Sequence, residues 1–181
     1  MPHHIRTTLL VLNFEYIIMF SFQSIITTLT VTLVVAAGAQ AEKHTITFKN
    51  NCGRGTPKLI QAGNTLHSGG GSYTHNGALM SAIAYLQTGE CLLNGEKCTT
   101  LETSLRNPPS PGAGSSTDVT LISPHKFNVA VGFNYSGGCN GVGNRCGSAS
   151  CCPNGAFCKP DDYQAQRQCQ VNDVNLVVTF C

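Results

Sequence analysis

The sequence predicts an all-β, disulfide-rich domain, a sandwich or a barrel, on three observations. Apolar residues recur at every second position in several short segments, the strand signal. Gly, Pro and Asn-Gly clusters separate those segments, as turns require. Ten cysteines, an even number, fall in the last 130 residues of a 181-residue chain, where an oxidising compartment would pair them.

Taken in chain order, the first segment is a leader. Residues 1–41 carry only two charged side chains, Arg6 and Glu15, and their apolar run from Ile25 to Ala37 leads into Ala39-Gln40-Ala41, a small-x-small cleavage signature. Cleavage after Ala41 starts the mature chain at Glu42. A chain begun at Met19 would have a signal of ordinary length, so residues 1–18 read as an upstream extension. The rival is a membrane anchor, since about 20 apolar residues span a bilayer. The Ala-x-Ala end, with every cysteine after it, favours removal and secretion, to the extracellular space or a cell wall, with no stable membrane insertion afterwards.

Residues 42–181 form one domain, expected to be a monomer. In His44–Lys49, Ile46 and Phe48 share one face and Thr45 and Thr47 the other. Ser81–Gln87, Thr100–Leu105 and Thr117–Ile122 read as further strands. Lys126–Tyr135 aligns Phe127, Val129, Val131, Phe133 and Tyr135; Asn175–Phe180 aligns Leu176, Val178 and Phe180. Turns are expected at Gly69-Gly70-Gly71, Asn76-Gly77, Asn94-Gly95, Asn107-Pro108-Pro109 and Pro153-Asn154-Gly155. Pro108–Ser116 reads as a surface loop, and Asp161–Gln168 as at most two helical turns.

Composition excludes several functions. Lys plus Arg number 11 against 9 Asp plus Glu, a net charge of +2 with no basic stripe, so no nucleic-acid partner is expected. Structural zinc sites repeat a C-x2-4-C pair. Here a single C-x4-C, Cys146 to Cys151, sits beside Cys152, so neither a metal nor another cofactor is expected. His44, His67, His75 and His125 lack ligand spacing and read as surface or turn residues. There is no G-x-S-x-G nucleophile elbow, and Gly141-Val142-Gly143 lacks the third glycine of a phosphate loop. Asn134-Tyr135-Ser136 is an N-glycosylation sequence, which requires Asn134 at the surface.

The mature chain opens with Ile46-Thr47-Phe48-Lys49-Asn50-Asn51-Cys52 and closes with Asn175-Leu176-Val177-Val178-Thr179-Phe180-Cys181. Between them come Thr99–Leu105, Asp118–Ile122 with Phe127-Asn128-Val129, and the series Cys151-Cys152, Cys158, Tyr163, Cys169. In order and spacing these segments resemble the thaumatin-like (osmotin) proteins, in a compact ten-cysteine form similar to fungal secreted glycopeptides. The resemblance implies an antiparallel β-sandwich of thaumatin-like type. It also implies the pairs Cys52–Cys181, Cys91–Cys98, Cys146–Cys169 and Cys152–Cys158, which leaves Cys139 with Cys151. Asn94-Gly95 between Cys91 and Cys98 suits the hairpin that the second pair needs.

The same resemblance implies a cell-wall β-1,3-glucan partner, an antifungal or wall-remodelling role and, in some members, weak endo-β-1,3-glucanase activity at an acidic cleft. Glu102 and Asp118 match two of its acidic positions, and glycoside hydrolysis uses two carboxyl groups as acid and base or nucleophile. The cleft is incomplete: Ser123-Pro124 replaces a further Asp, no Arg matches, and Asp173 lies only in the region of the last Asp. Tyr163 and Tyr73, in loop-like segments, are candidates to stack on sugar rings. Three readings stay open: a glucan-binding protein, a weak glucanase using Glu102 and Asp118, and a non-catalytic secreted structural or effector protein.

Overall fold

A computed structural model describes residues 41–181; apart from Ala41, the expected leader lies outside the described residues. Eleven strands follow one another: β1 (Lys43–Asn50), β2 (Thr56–Gln61), β3 (Asn64–Ser68), β4 (Gly71–Asn76), β5 (Leu79–Gln87), β6 (Thr100–Leu105), β7 (Ser115–Thr120), β8 (Val131–Ser136), β9 (Gly143–Cys146), β10 (Arg167–Cys169) and β11 (Asn175–Phe180). They form a five-stranded sheet ordered β4-β1-β11-β8-β9 and a six-stranded sheet ordered β10-β7-β6-β5-β2-β3. All neighbours run antiparallel except β1 and β11, the first and last strands, which pair in parallel from Ile46↔Leu176 to Asn50↔Phe180. Among the described residues no helix is long and apolar enough to cross a membrane.

The period-2 pattern explains the packing. Ile46 and Phe48 of β1, Leu176, Val178 and Phe180 of β11, and Val131, Phe133 and Tyr135 of β8 are buried on the inner face of one sheet. They meet Leu59 of β2, Ala82, Ala84 and Leu86 of β5, Leu101 and Leu105 of β6, and Val119 of β7. Two sheets facing each other through alternating apolar side chains make a β-sandwich. A smaller core lies outside it. There the Cys91–Cys98 hairpin covers Ile60 and Tyr85 on the outer face of the six-stranded sheet, and the Tyr85 hydroxyl donates to Leu93 O at 3.1 Å.

Three of the expected strand segments shift. β5 starts earlier, at Leu79, and β7 covers Ser115–Thr120 rather than Thr117–Ile122. The expected Lys126–Tyr135 strand is only Val131–Ser136. The preceding residues bind elsewhere: Lys126 N donates to Cys98 O, and Asn128 exchanges hydrogen bonds with Thr99. The polar stretch at Asp161–Gln168 holds one short 3-10 turn, Tyr163–Ala165. β2, β3, β4, β9 and β10 are not in the sequence reading: the last four are edge strands with little apolar alternation, and β2, an interior strand, breaks alternation with adjacent buried Leu59 and Ile60.

All ten cysteines are paired. Cys52–Cys181, Cys91–Cys98 and Cys152–Cys158 are formed, but Cys146 joins Cys151 and Cys139 joins Cys169. The pairs Cys146–Cys169 and Cys139–Cys151 are therefore corrected. Cys146 ends β9, and the chain turns straight back, bringing Cys151 to a Cα separation of 5.2 Å. Cys139 lies in the β8–β9 connection, 5.9 Å by Cα from Cys169 at the end of β10, so this bridge ties one sheet to the other. Both distances suit a disulfide. A non-reducing digest should yield peptides linked 139–169 and 146–151; a 146–169 linkage would contradict this topology.

Candidate functional site

The outer face of the six-stranded sheet carries a groove. On β6 the inward phase belongs to Leu101, Thr103 and Leu105, so Glu102 points out and is exposed. On β7 the inward phase belongs to Ser115, Thr117 and Val119, so Asp118 also points out. The two acids are direct cross-strand partners. Cβ atoms of such partners lie about 4.5–5.5 Å apart, close enough for their charges to interact strongly.

A hollow of about 300 Å³ beside them is lined by Ser81, Ile83, Ser104, Ser116 and Gln166 as well as the two acids. A neighbouring hollow of about 260 Å³ shares Ser81, Ile83 and Glu102 and continues across β5 and β2 to Ala62, Gly63, Asn94 and His125. Glu102 thus sits where two halves of one cross-strand groove meet. A bulge shapes it. The β5–β6 register shifts between Leu79 and Ala82, Ser81 takes a positive φ of 52°, and its N–H donates to Ser104 Oγ at 2.9 Å. At the far end, His125 Nδ1 lies 3.1 Å from Thr100 Oγ1 and 3.0 Å from Gly95 O. No Lys or Arg lines either hollow.

Asp118 is the electrostatically unusual member. Its Oδ1 is buried and has no hydrogen-bond partner. Desolvation, and secondarily the charge of Glu102, push its carboxyl up to about 7. The sheet beneath is polar but closed. Thr117 Oγ1 lies 2.7 Å from Thr103 Oγ1 and 3.1 Å from the Tyr135 hydroxyl, which also reaches Arg167 O at 3.0 Å. Burial, opposed by the Thr117 bond and aided by the Asp118 charge, raises the Tyr135 phenol to about 12. Tyr135 is a fixed structural donor rather than a titrating group.

The remaining sequence candidates lie apart from the groove lining. Asp173 accepts from Lys43 N at 3.0 Å and Asn107 Nδ2 at 3.3 Å, which makes it a brace for the start of β1. Tyr163 is 70% exposed but packs edge-on against Phe157, 6.1 Å between ring centroids. Tyr73 is half-buried on β4, its hydroxyl 3.2 Å from His75 Nδ1. Neither Tyr73 nor Tyr163 lines the two hollows beside the acids.

His44 is also corrected. It is fully buried, not at the surface, because it shares the inward phase of Ile46 and Phe48. Its ring bridges Val174 O at 2.7 Å and Glu42 Oε1 at 3.0 Å. Ser81, Gln166 and His125 were missed because a bulge and two distant loops bring them in. Glu102 and Asp118 enter the sequence reading through the resemblance; strand alternation independently places both on the outer face.

No protein-family model matches the chain, and no curated protein matches it. A solved structure similar to it is that of the protein elicitor MoHrip2 from Magnaporthe oryzae. The two are 12% identical, the match covers 78% of this chain and 99% of that chain, and the TM-score is 0.44. The thaumatin-like assignment does not stand. No family model matches the chain, and the Cys139 and Cys146 pairings it implied are not made. What holds is an all-β, two-sheet, five-disulfide protein of extracellular type.

Asp118 gives the site a pH signature. The folded carboxyl keeps its proton up to about pH 7, whereas an unfolded Asp loses it near pH 3.9. Between these values the folded state binds more protons, so this group's contribution falls as pH rises from about 4 to 7. In urea unfolding, Asp118→Asn should gain on the wild type over that window, by roughly 2–4 kcal/mol between pH 4 and pH 8. A stability difference that does not change with pH would contradict the assignment.

Proposed function

We propose that the protein is a non-catalytic secreted interaction protein, of structural or effector type, whose contact surface is the groove around Glu102 and Asp118. The observation that carries this reading is the placement of the two acids. They stand on adjacent strands, on the same floor of the groove. A glycosidase needs carboxyl groups flanking the scissile bond, one on the leaving-group oxygen and one at the anomeric carbon. Two acids on one floor meet a bound chain from a single side, which suits hydrogen bonding rather than bond cleavage.

The lining supports a polyhydroxylated ligand. Ser81, Ser104, Ser116, Gln166 and Asn94 supply short polar groups, and the exposed Glu102 carboxyl can accept hydrogen bonds from ligand hydroxyls. A polysaccharide such as cell-wall β-1,3-glucan is the partner to test first. A weak glucanase is the second reading. It is favoured by one fact: a carboxyl protonated near neutral pH beside a second acid is the acid–base pattern of hydrolases.

Mature protein mixed with insoluble β-1,3-glucan should pellet without releasing reducing sugar. Glu102→Ala should weaken pelleting by about tenfold or more, the loss expected for a hydrogen bond to a charged group, and Asp118→Ala by less, because its carboxyl holds its proton near neutral pH. Sugar release abolished by both substitutions would establish the glucanase instead. Pelleting unaffected by either would remove the groove from the account.

A further inference from the structure

We infer that Asn134 carries an N-linked glycan whose first N-acetylglucosamine rests on a shelf beside Gly132 and Gly143, neither of which carries a side chain. Asn134-Tyr135-Ser136 is the one Asn-x-Ser/Thr sequence in the chain. The structure places Asn134 in the middle of β8, exposed on the outer face of the five-stranded sheet, while Tyr135 between the two sequon residues points inward and is buried. Asn134 faces outward because Phe133 and Tyr135 take the inward phase.

Its surroundings are unusual for a strand interior. Gly143 is its cross-strand partner on β9, and Gly132 lies two residues back on the same outer face, opposite Arg145. Glycine weakens strands and there often marks a close approach by a ligand. A Cβ at residue 143 would collide with Asn134 Oδ1 and Phe133 O, so the carboxamide fills space that only glycine leaves free there. A Cβ at residue 132 would meet Arg145 Cβ at 3.3 Å. The two glycines leave a trough of about 330 Å³ next to the carboxamide, walled by Arg145, Asn144 and Thr179. Arg145 is steadied by its Nη2, which donates to Cys181 O at 3.3 Å. The walls offer donors and acceptors to a pyranose lying on the shelf.

The chemistry uses a lipid-diphosphate-linked oligosaccharide as donor. Asn134 Nδ2 bonds to the anomeric carbon, the carbon–oxygen bond to the diphosphate breaks, the lipid diphosphate leaves with the electron pair, and Nδ2 loses a proton. The glycan would project from the five-stranded sheet. The groove lies on the outer face of the other sheet, so the two surfaces do not compete.

The test is the protein secreted from a eukaryotic host and read by mass spectrometry. A glycopeptide spanning Asn134 is expected, together with an intact mass raised by one glycan. That increment should vanish in Asn134→Gln and in Ser136→Ala, the second of which leaves the trough unaltered. Peptide-N-glycosidase should release the glycan from native protein about tenfold more slowly than from denatured protein, the factor that about 1.4 kcal/mol of shelf contact corresponds to. Folded, secreted wild type whose Asn134 peptide is unmodified would overturn the glycan. Equal release rates from native and denatured protein would overturn the shelf.

Discussion

The fold depends on the meeting of the two ends of the domain. β1 and β11 pair in parallel at the centre of the five-stranded sheet, with β4 on one flank and β8 on the other. Without that pair, Ile46 and Phe48 lose Leu176, Val178 and Phe180 as neighbours, and one wall of the core comes apart. The pairing is non-local, so chain entropy opposes it strongly. Cys52–Cys181, at a sequence separation of 129, fastens the strands just beyond Asn50 and Phe180. In the chain-entropy model the longest loop gives the largest stabilisation.

Much of this was legible because a strand with one buried face writes its register into the sequence. Thr100–Leu105 and Asn175–Phe180 could be read to the residue, and the same parity put Glu102 and Asp118 outside. His44 lacks ligand spacing and reads as a surface residue, yet it shares the phase of Ile46 and is buried with it. Edge strands such as β3 and β9 left no such trace. Cysteine order was a poor guide to pairing where several cysteines crowd together. The links of Cys139 and Cys146 follow from where the β8–β9 hairpin ends, which only the fold determines. The motif series that resembled the thaumatin-like proteins is in part the signature of paired strands ending in cysteine, and strand ends are a weak basis for family membership.

The candidate groove shows how disulfides serve a surface as well as a core. The Cys91–Cys98 hairpin builds a second small core on the outer face of the six-stranded sheet, and its Asn94 borders the groove that Glu102 centres. At the other end Gln166, immediately after the 3-10 turn, closes the hollow beside Asp118. Between these borders the floor is regular sheet, held from below by the Thr103–Thr117–Tyr135 cluster. A rigid floor with one proton-holding acid is suited to recognising a surface, and the opposite sheet is left free for a glycan.

The central claim is that closure of the domain ends governs stability, and paired cysteine removals test it most directly. Urea unfolding of the double variant Cys52→Ala/Cys181→Ala should show a loss of about 4–5 kcal/mol, against about 2 kcal/mol for Cys146→Ala/Cys151→Ala, whose loop is far shorter. Equal losses, or a larger loss from the short loop, would contradict the account.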